Sequence, residues 1–487
     1  MTRTRLALSL LSASLLTGCM VGPNYARPSV TTPPKFKEAE GWIKATPADE
    51  APRGDWWAMF NDPVLNQLEQ KVVINNQNLI AAEASYREAH AIVAEDRAQL
   101  FPTISANGQL THAGSGGGAT VIPGGGGVIS GSGGTGPSIS TTRTTYQVTG
   151  SASWAPDLWG KIRRTIEGAK ASAQASAADI ANAQLSAQSE LAVDYVQLRA
   201  YDELKRLTDL TIEGYRRSLT ITSNQYNAGI AAKSDVLNAQ TQLANTEAQS
   251  ADYVRQRQQM EHAIAVLIGE APADVTIAPT DWTLAPPDVP VMVPSQLLLR
   301  RPDVAAAERN VENASAQIGV QVAAYYPTLN LTGQYGFTGS NLANLFSASN
   351  SFWSLGASAA ETLIDFGARK ARVQQAKASY DQAVAQYRQT VLTAFQGVED
   401  QLAAERVLDQ ETPYRTEASQ AADAAEIISL NQYRAGTAIY TTVVVNQAAA
   451  LNARTTLIQN QLSRIVASID LITALGGGWS TTQLPKD

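Results

Sequence analysis

The sequence predicts a mainly α-helical protein with a small amount of membrane-type β-structure, built from two copies of one unit. Three observations predict this. The phrase NQYNAG at Asn224–Gly229 returns as NQYRAG at Asn431–Gly436, 207 residues later. Long stretches run without a helix breaker, and no proline occurs between Lys161 and Tyr226. Four short segments alternate apolar and polar residues, which is the pattern of strands with one apolar face.

Composition narrows the field. The chain has 487 residues, of which 44% are hydrophobic and 17% charged, with a net charge of −7. An acidic balance without a basic patch argues against a nucleic-acid partner. The N-terminus reads MTRTRLALSLLSASLLTGCM. Arg3 and Arg5 precede an apolar stretch, Leu6 to Leu16, that is too short to span a bilayer and fits a secretory signal over 1–18. LLTGC resembles a bacterial lipobox, which would make Cys19 the acylated first residue of the mature chain. Cys19 is the single cysteine, so no disulfide framework and no cysteine metal site are expected. Each buried methylene of an acyl chain adds about 0.8 kcal/mol of membrane affinity, and several chains make a firm anchor.

Residues 19–61 are rich in proline and charge and are expected to be an extended tether behind that anchor. The first repeat is expected over 62–271. Asp62 is a good N-cap and Pro63 suits the first helical position, so a helix should run to about Leu100, where FP ends it. A β-hairpin follows over 101–156. Ile104, Ala106, Gly108 and Leu110 alternate with polar residues in its first strand, and Tyr146, Val148, Gly150, Ala152 and Trp154 do so in its second. Gly114 to Gly136 contains 12 glycines in 23 residues and reads as a mobile loop. The next helix, from Lys161 to Tyr226, is alanine-rich and would be about 100 Å long at 1.5 Å per residue. Gly229 suits the left-handed position past its end. Ser234 is expected to cap a returning helix that reaches about Ile268.

A proline-rich linker over 272–294 separates this unit from its copy over 295–476. There a helix opens at RRPDVAAAE and ends at Pro327, as the first ended at Pro102. A second hairpin spans 327–364, a long helix runs from Gly367 to Tyr433, Gly436 closes it, and a last helix covers Tyr440 to Leu475. Pro413 lies inside the long helix and is expected to kink or break it. Residues 477–487 form a C-terminal tail. The two prolines are 225 apart and the two turn glycines 207 apart, so the 18-residue difference falls in the first hairpin.

Strands of about ten residues with one apolar face suit a bilayer. Tyr146, Trp154, Tyr335, Phe337, Phe352 and Trp353 fit aromatic girdles. Four strands cannot close a barrel, and an open edge in lipid leaves backbone groups unpaired at several kcal/mol each. Several chains must then share one barrel, and three would give twelve strands.

With these residues in view, the chain resembles the TolC-type outer-membrane efflux lipoproteins of the OprM/NodT branch. The resemblance covers nearly the whole mature chain. It rests on LTGC, WWAMFNDPVLNQL, LLLRRPDVAAAE, YYPTLNLTGQYG and the two QYxAG turns. It implies a homotrimer in which a 12-stranded transmembrane β-barrel, four strands per chain, joins a long α-helical barrel in the periplasm. It also implies an inner-membrane transporter and a periplasmic adaptor as partners, and outer membrane lipid around the barrel. Met20, in place of Asp after the cysteine, implies sorting to the outer membrane.

The candidate sites lie at the tips, YNAGIAAKSDVLNAQ and YRAGTAIYTTVVVNQ. The resemblance places a periplasmic aperture there, with Asp235, Tyr440, Thr441 and Val445 as candidates and Gly229 and Gly436 as the tip turns. Val445 stands where many relatives carry an acidic residue. A ring of three Asp235 carboxylates would attract cations; alternatively Asp235 only complements its helix N-terminus. GSGGTG at Gly131–Gly136 lies between strands and does not fit a phosphate loop. His90, His112 and His262 have no metal-ligand spacing, and no nucleophile motif occurs, so neither enzyme activity nor a cofactor beyond the lipid on Cys19 is expected. A duct for secreted protein, or a lipid-anchored periplasmic coiled-coil scaffold, are the alternative functions.

Overall fold

The computed structural model describes residues 20–39, 55–115, 119–120, 129–130, 141–282, 284–287, 289 and 300–485. The segment expected to be a signal peptide, Cys19, most of the glycine-rich segment and much of the proline-rich linker lie outside the described residues.

The helices are α1 (Pro63–Asn75), α2 (Gln77–Ala98), α3 (Lys161–Asn227), α4 (Lys233–Leu267), α5 (Pro302–Ala323), α6 (Ala368–Arg434) and α7 (Tyr440–Ala474). The strands are β1 (Thr103–Ser115), β2 (Ala119–Thr120), β3 (Ile129–Ser130), β4 (Thr141–Trp154), β5 (Thr328–Gly339) and β6 (Ser351–Ala360). The internal copy is visible in the lengths. α3 and α6 each have 67 residues, α4 and α7 each 35, and α2 and α5 each 22. Among the described residues no helix is long and apolar enough to cross a membrane.

Local chemistry explains where the helices start and stop. The Asp62 carboxylate accepts from the amides of Val64 (2.8 Å) and Leu65 (3.1 Å), and Pro63 follows it. The expected single helix to Leu100 is divided at Asn76, whose backbone is extended (φ −63, ψ 121). The buried Asn76 side chain donates to the carbonyl of Leu267 (2.8 Å) and accepts from the amides of Asn78 and Leu79, so it starts α2 while tying off the end of α4. Ser234 is not the cap of α4 either: Ala232 holds that position with no side-chain bond, and Ser234 lies one residue inside the helix. Pro413 does not break α6. The proline leaves the Asp409 carbonyl without its helical donor, while the hydroxyls of Thr412 and Thr416 bond the carbonyls of Leu408 and Thr412 one turn back.

The described chain divides into two units that do not follow the repeats. One gathers residues 91–169 and 313–380 with the described residues up to Tyr25, and the other holds 26–90, 170–312 and 381–485. In the second unit the N-terminal tether is extended but docked. Phe36 is buried against Phe395, and the amides of Lys37 and Glu38 both donate to the Glu399 carboxylate. The C-terminal tail is docked too: Trp479 and Leu484 pack on Ala178, Ala305 and Ala306. RRPDVAAAE proves to be a packing device. Arg301 grips Asp303 and donates to the Ala474 carbonyl at the end of α7 (2.9 Å), while Val304, Ala305 and Ala306 are buried.

The rungs between α3 and α4 recur between α6 and α7 at the 207-residue spacing. Asp202–Arg257 (2.6 Å) is matched by Asp409–Arg464 (2.6 Å). Arg216–Glu247 (2.9 Å) is matched by Asp423–Arg454 (2.7 Å), with the charges exchanged.

In the first unit, β1, β4, β5 and β6 form one antiparallel sheet in the order β1-β4-β5-β6. The glycine-rich segment holds a two-residue ladder, β2 with β3, where only loop was expected.

Candidate functional site

The sheet sorts its side chains by face. Residues directly opposite in register share a face of the pleat. One face carries the rows Ile104, Ala152, Gly333, Leu355 and Ala106, Gly150, Tyr335, Trp353, then Gly108, Val148, Phe337. The other carries Thr103, Ser153, Thr332 and Ser105, Ser151, Gln334, Ser354, then Gln109, Gln147, Thr338. The apolar face is exposed: Ile104 is 83%, Trp353 72% and Leu355 80% accessible. Such a sheet has lipid chemistry on one side and water chemistry on the other. Phe352 departs from the girdle expected of it. It pairs with Gly336, in the row of Asn107 and Thr149, and so lies on the polar face.

At both places where a strand gives way to a long helix, an aspartate builds the corner. Asp157 accepts from the amides of Ile162 and Arg163 and from the Arg163 side chain. Asp365 accepts from the amides of Gly367 and Arg369 and from the Arg369 side chain. Asp365 is held below the ordinary carboxylate range mainly by those Arg369 bonds.

The tips lie in the other unit and are built alike. Gly229 and Gly436 have φ of +74 and +73. The Ile230 amide donates to the Gln225 carbonyl (2.8 Å), and the Thr437 amide to that of Gln432 (2.9 Å). Both close the helix with a left-handed glycine and a six-to-one bond. A side chain at either glycine would meet open space.

The candidate aperture residues divide at the start of α7. Tyr440 is buried with Ala239, Tyr433 and Val443, its ring 5.0 Å from that of Tyr433. Burial pushes its hydroxyl up to about 12, so it stays neutral. Thr441 and Val445, one turn apart, are exposed. Asp235 sits half-buried in the first turn of α4, near enough to Tyr433 and Tyr440 to raise both hydroxyls, with burial the larger cause. In the first tip, Lys233 lies 5.2 Å over the Tyr226 ring, at the positions that Tyr440 and Tyr433 occupy in the second.

Two features escaped the sequence reading. Gly269 and Gly476 are a second pair 207 residues apart, with φ of +72 and +93, ending α4 and α7. The signal was available in LIGE and LGGG. Glu69 in α1 is fully buried, and neither carboxylate oxygen has a hydrogen-bond partner. Its position inside an amphipathic helix gave no sign of this. Among the described residues no group of His, Cys, Asp or Glu is placed to hold a metal.

This combination of a two-faced sheet and paired long helical hairpins agrees with the comparisons. The description "Outer membrane efflux protein" matches residues 68–270 and 293–477. The chain belongs to the outer membrane efflux protein family. It is similar to the antibiotic efflux pump outer membrane protein ArpC of Pseudomonas putida, with 29% identity over 98% of this chain and 96% of that one. It is equally similar, at 29% identity over 97% of both chains, to the pyoverdine export outer membrane protein OpmQ of Pseudomonas aeruginosa. The solved outer-membrane channel OprN aligns with a TM-score of 0.84 and 28% identity, covering 95% of this chain and all of that one. Members of this family are channels and not enzymes, and this chain is the outer-membrane channel component of an efflux system, reaching into the periplasm.

Proposed function

We propose that three copies of this chain close a 12-stranded β-barrel in the outer membrane and continue it as a helical duct. Through an adaptor, the duct receives small organic molecules from an inner-membrane transporter. The exposed apolar face beside two open strand edges carries this reading, since lipid offers those edges no hydrogen bonds. The names of ArpC and OpmQ, outer membrane proteins of antibiotic efflux and of pyoverdine export, support small-molecule cargo. Cross-linking in mild detergent is expected to trap trimers, and planar bilayers are expected to show a conductance. A monomer with intact β-structure would sink the shared barrel.

Cys19 is proposed as the acylated anchor. The chain just past it is held at the β4–α3 corner: the Val21 amide donates to the Trp159 carbonyl (3.1 Å). Arg164, 1% exposed, donates to the carbonyls of Val21 and Gly22 and to the Asn24 side chain. An acyl chain would therefore start where the strand leaves the sheet. Palmitate labelling is expected to vanish in Cys19→Ser; equal labelling would remove the anchor from this account.

At the tips, Thr441 and Val445 are proposed to line the aperture, Asp235 to add a negative ring, and Tyr440 to brace them from within. Gly229 and Gly436 provide the reversals. Tyr440→Ala is expected to raise conductance, since truncating a buried aromatic removes about 3–5 kcal/mol of packing. Asp235→Ala is expected to lower cation preference and block by multivalent cations. Unchanged selectivity with intact trimers would reduce Asp235 to a helix-end charge.

A further inference from the structure

The polar face of the sheet carries one residue foreign to its chemistry. Along β1, β4, β5 and β6 this face is built from Ser, Thr, Asn, Gln and small residues, with Arg143 near one end and no carboxylate among the described residues. Phe352 is its single aromatic ring. It opposes Gly336, and the row continues through Thr149 to Asn107.

Burial follows that row. Thr149 and Gly336 are the two buried residues of this face among the described ones, and Phe352 is the one residue of β6 that is not exposed. In the rows on either side, Gln334, Ser354, Gln109 and Thr338 stay exposed. A ring leaning from the edge strand across the glycine onto Thr149 accounts for all three. Gly336 cannot fill the place itself, because a Cβ there would lie 2.5 Å from the Val148 carbonyl oxygen and 3.0 Å from the Thr149 Cα. Covering a glycine with a cross-strand ring is a structural service. It uses one face of the ring. Phe352 is half-buried, so the other face is turned away from the sheet.

We propose that Phe352 is a stacking site for aromatic solutes on the inner wall of the duct, with three such rings at one height when three copies close the barrel. This rests on the channel reading and adds a ligand class to it. The wall around the ring offers a planar solute little that water does not, because hydroxyl and amide groups exchange one hydrogen bond for another. The ring offers more. Stacking on it removes apolar surface from water and adds the quadrupole attraction of an offset or edge-to-face pair. A saturated solute of the same size gains only the first, so the site favours flat aromatic molecules. Charge sets no competing preference at this height, since Arg143 lies six residues, or about 20 Å, along β4 from Thr149. One open ring face per chain binds weakly, and a conduit needs sites that release what they hold.

A fluorine label tests this without removing the ring. The full-length chain is made with para-fluorophenylalanine at position 352 and, separately, at position 337 on the apolar face. Trimers in mild detergent are titrated with benzenesulfonate, whose charge keeps it in water, and with cyclohexanesulfonate, which has the same charge and nearly the same size but no aromatic ring. The fluorine resonance at 352 is expected to move upfield and saturate with benzenesulfonate, and to stay in place with cyclohexanesulfonate. The resonance at 337 is expected to respond to neither. Equal shifts at 352 from both probes would mean that the sulfonate alone is being held, and would overturn the stacking site. A silent label at 352 in intact, conducting trimers would leave Phe352 as a cover for Gly336 only, and would overturn the inference while the channel reading stands. Response at 337 with silence at 352 would reverse the assignment of the two faces and overturn it too. Absence of trimers or of conductance in the unsubstituted chain would instead sink the channel reading itself. Phe352→Leu, which keeps an apolar cover on the glycine, is expected to form trimers as the parent does. Its affinity for benzenesulfonate is expected to fall about tenfold, the size of one aromatic pair. Unchanged affinity would place the binding elsewhere and overturn the role of the ring.

Discussion

Gly476→Ala is expected to destabilise the folded protein by about 3–5 kcal/mol, while Gly436→Ala costs about 1 kcal/mol. Both glycines have left-handed backbones, so both substitutions carry the strain of a side chain at positive φ. Only Gly476 also lacks room. A Cβ there would lie 2.0 Å from the Arg300 carbonyl oxygen and 2.8 Å from its carbon, and backbone held at a helix start cannot step aside cheaply. Gly269 is its counterpart, with a Cβ 2.3 Å from the Asn75 oxygen. These glycines seat the end of each returning helix against the backbone of another element, the end of α1 for Gly269 and the start of α5 for Gly476, whereas the tip glycines turn in open space. Denaturant midpoints of the two variants in mild detergent measure the difference. Equal losses, or a Gly476→Ala protein as stable as its parent, would refute the close approach.

Glu69→Gln is expected to stabilise the protein above neutral pH and to flatten its dependence on pH. Burial alone raises the Glu69 carboxyl from an ordinary 4.5 to about 9, so the folded chain keeps a proton there that the unfolded chain releases. The contribution to stability is complete below about pH 4.5 and is lost as pH rises toward about 9. The slope is up to about 1.4 kcal/mol per unit, or about 4 kcal/mol between pH 5 and 8. Glutamine has nearly the same shape and no proton to lose. Other carboxyls, half-buried Asp194 among them, titrate in both proteins, so the difference between the two stability curves isolates Glu69. Parallel curves from pH 5 to 8 would show that Glu69 is charged and solvated when folded.

Much of the architecture was legible because it depends on local rules. Asp62 before Pro63 starts a helix by satisfying free amides, and the chain does so there. Gly229 and Gly436 end helices because few other residues adopt a left-handed backbone. Alternation from Ile104 to Leu110 and from Tyr146 to Trp154 marked one apolar face, and the register assembles that face. The errors share a cause as well. Asn76 divides the first helix because its amide bonds Leu267, which is 191 residues away in sequence. Phe352 was assigned by its chemistry, but pairing with Gly336 puts it on the polar side. Ser234 is a good cap by type, yet the turn after Gly229 starts the helix one residue before it.

By itself the sequence determined the repeated unit, its helices, strands and tip turns, and a family resemblance that the comparisons bear out. All of these follow from torsional preference, periodicity or a continuous motif, which are properties of neighbouring residues. Tertiary structure alone decided which side of the sheet each strand residue faces across all four strands. It also decided that Tyr440 is buried while Thr441 and Val445 are exposed, that Glu69 lacks a partner, and that Gly476 has no room for a methyl group. Each of these depends on the distance between residues far apart in the chain, and that distance is set by packing, which no local preference encodes.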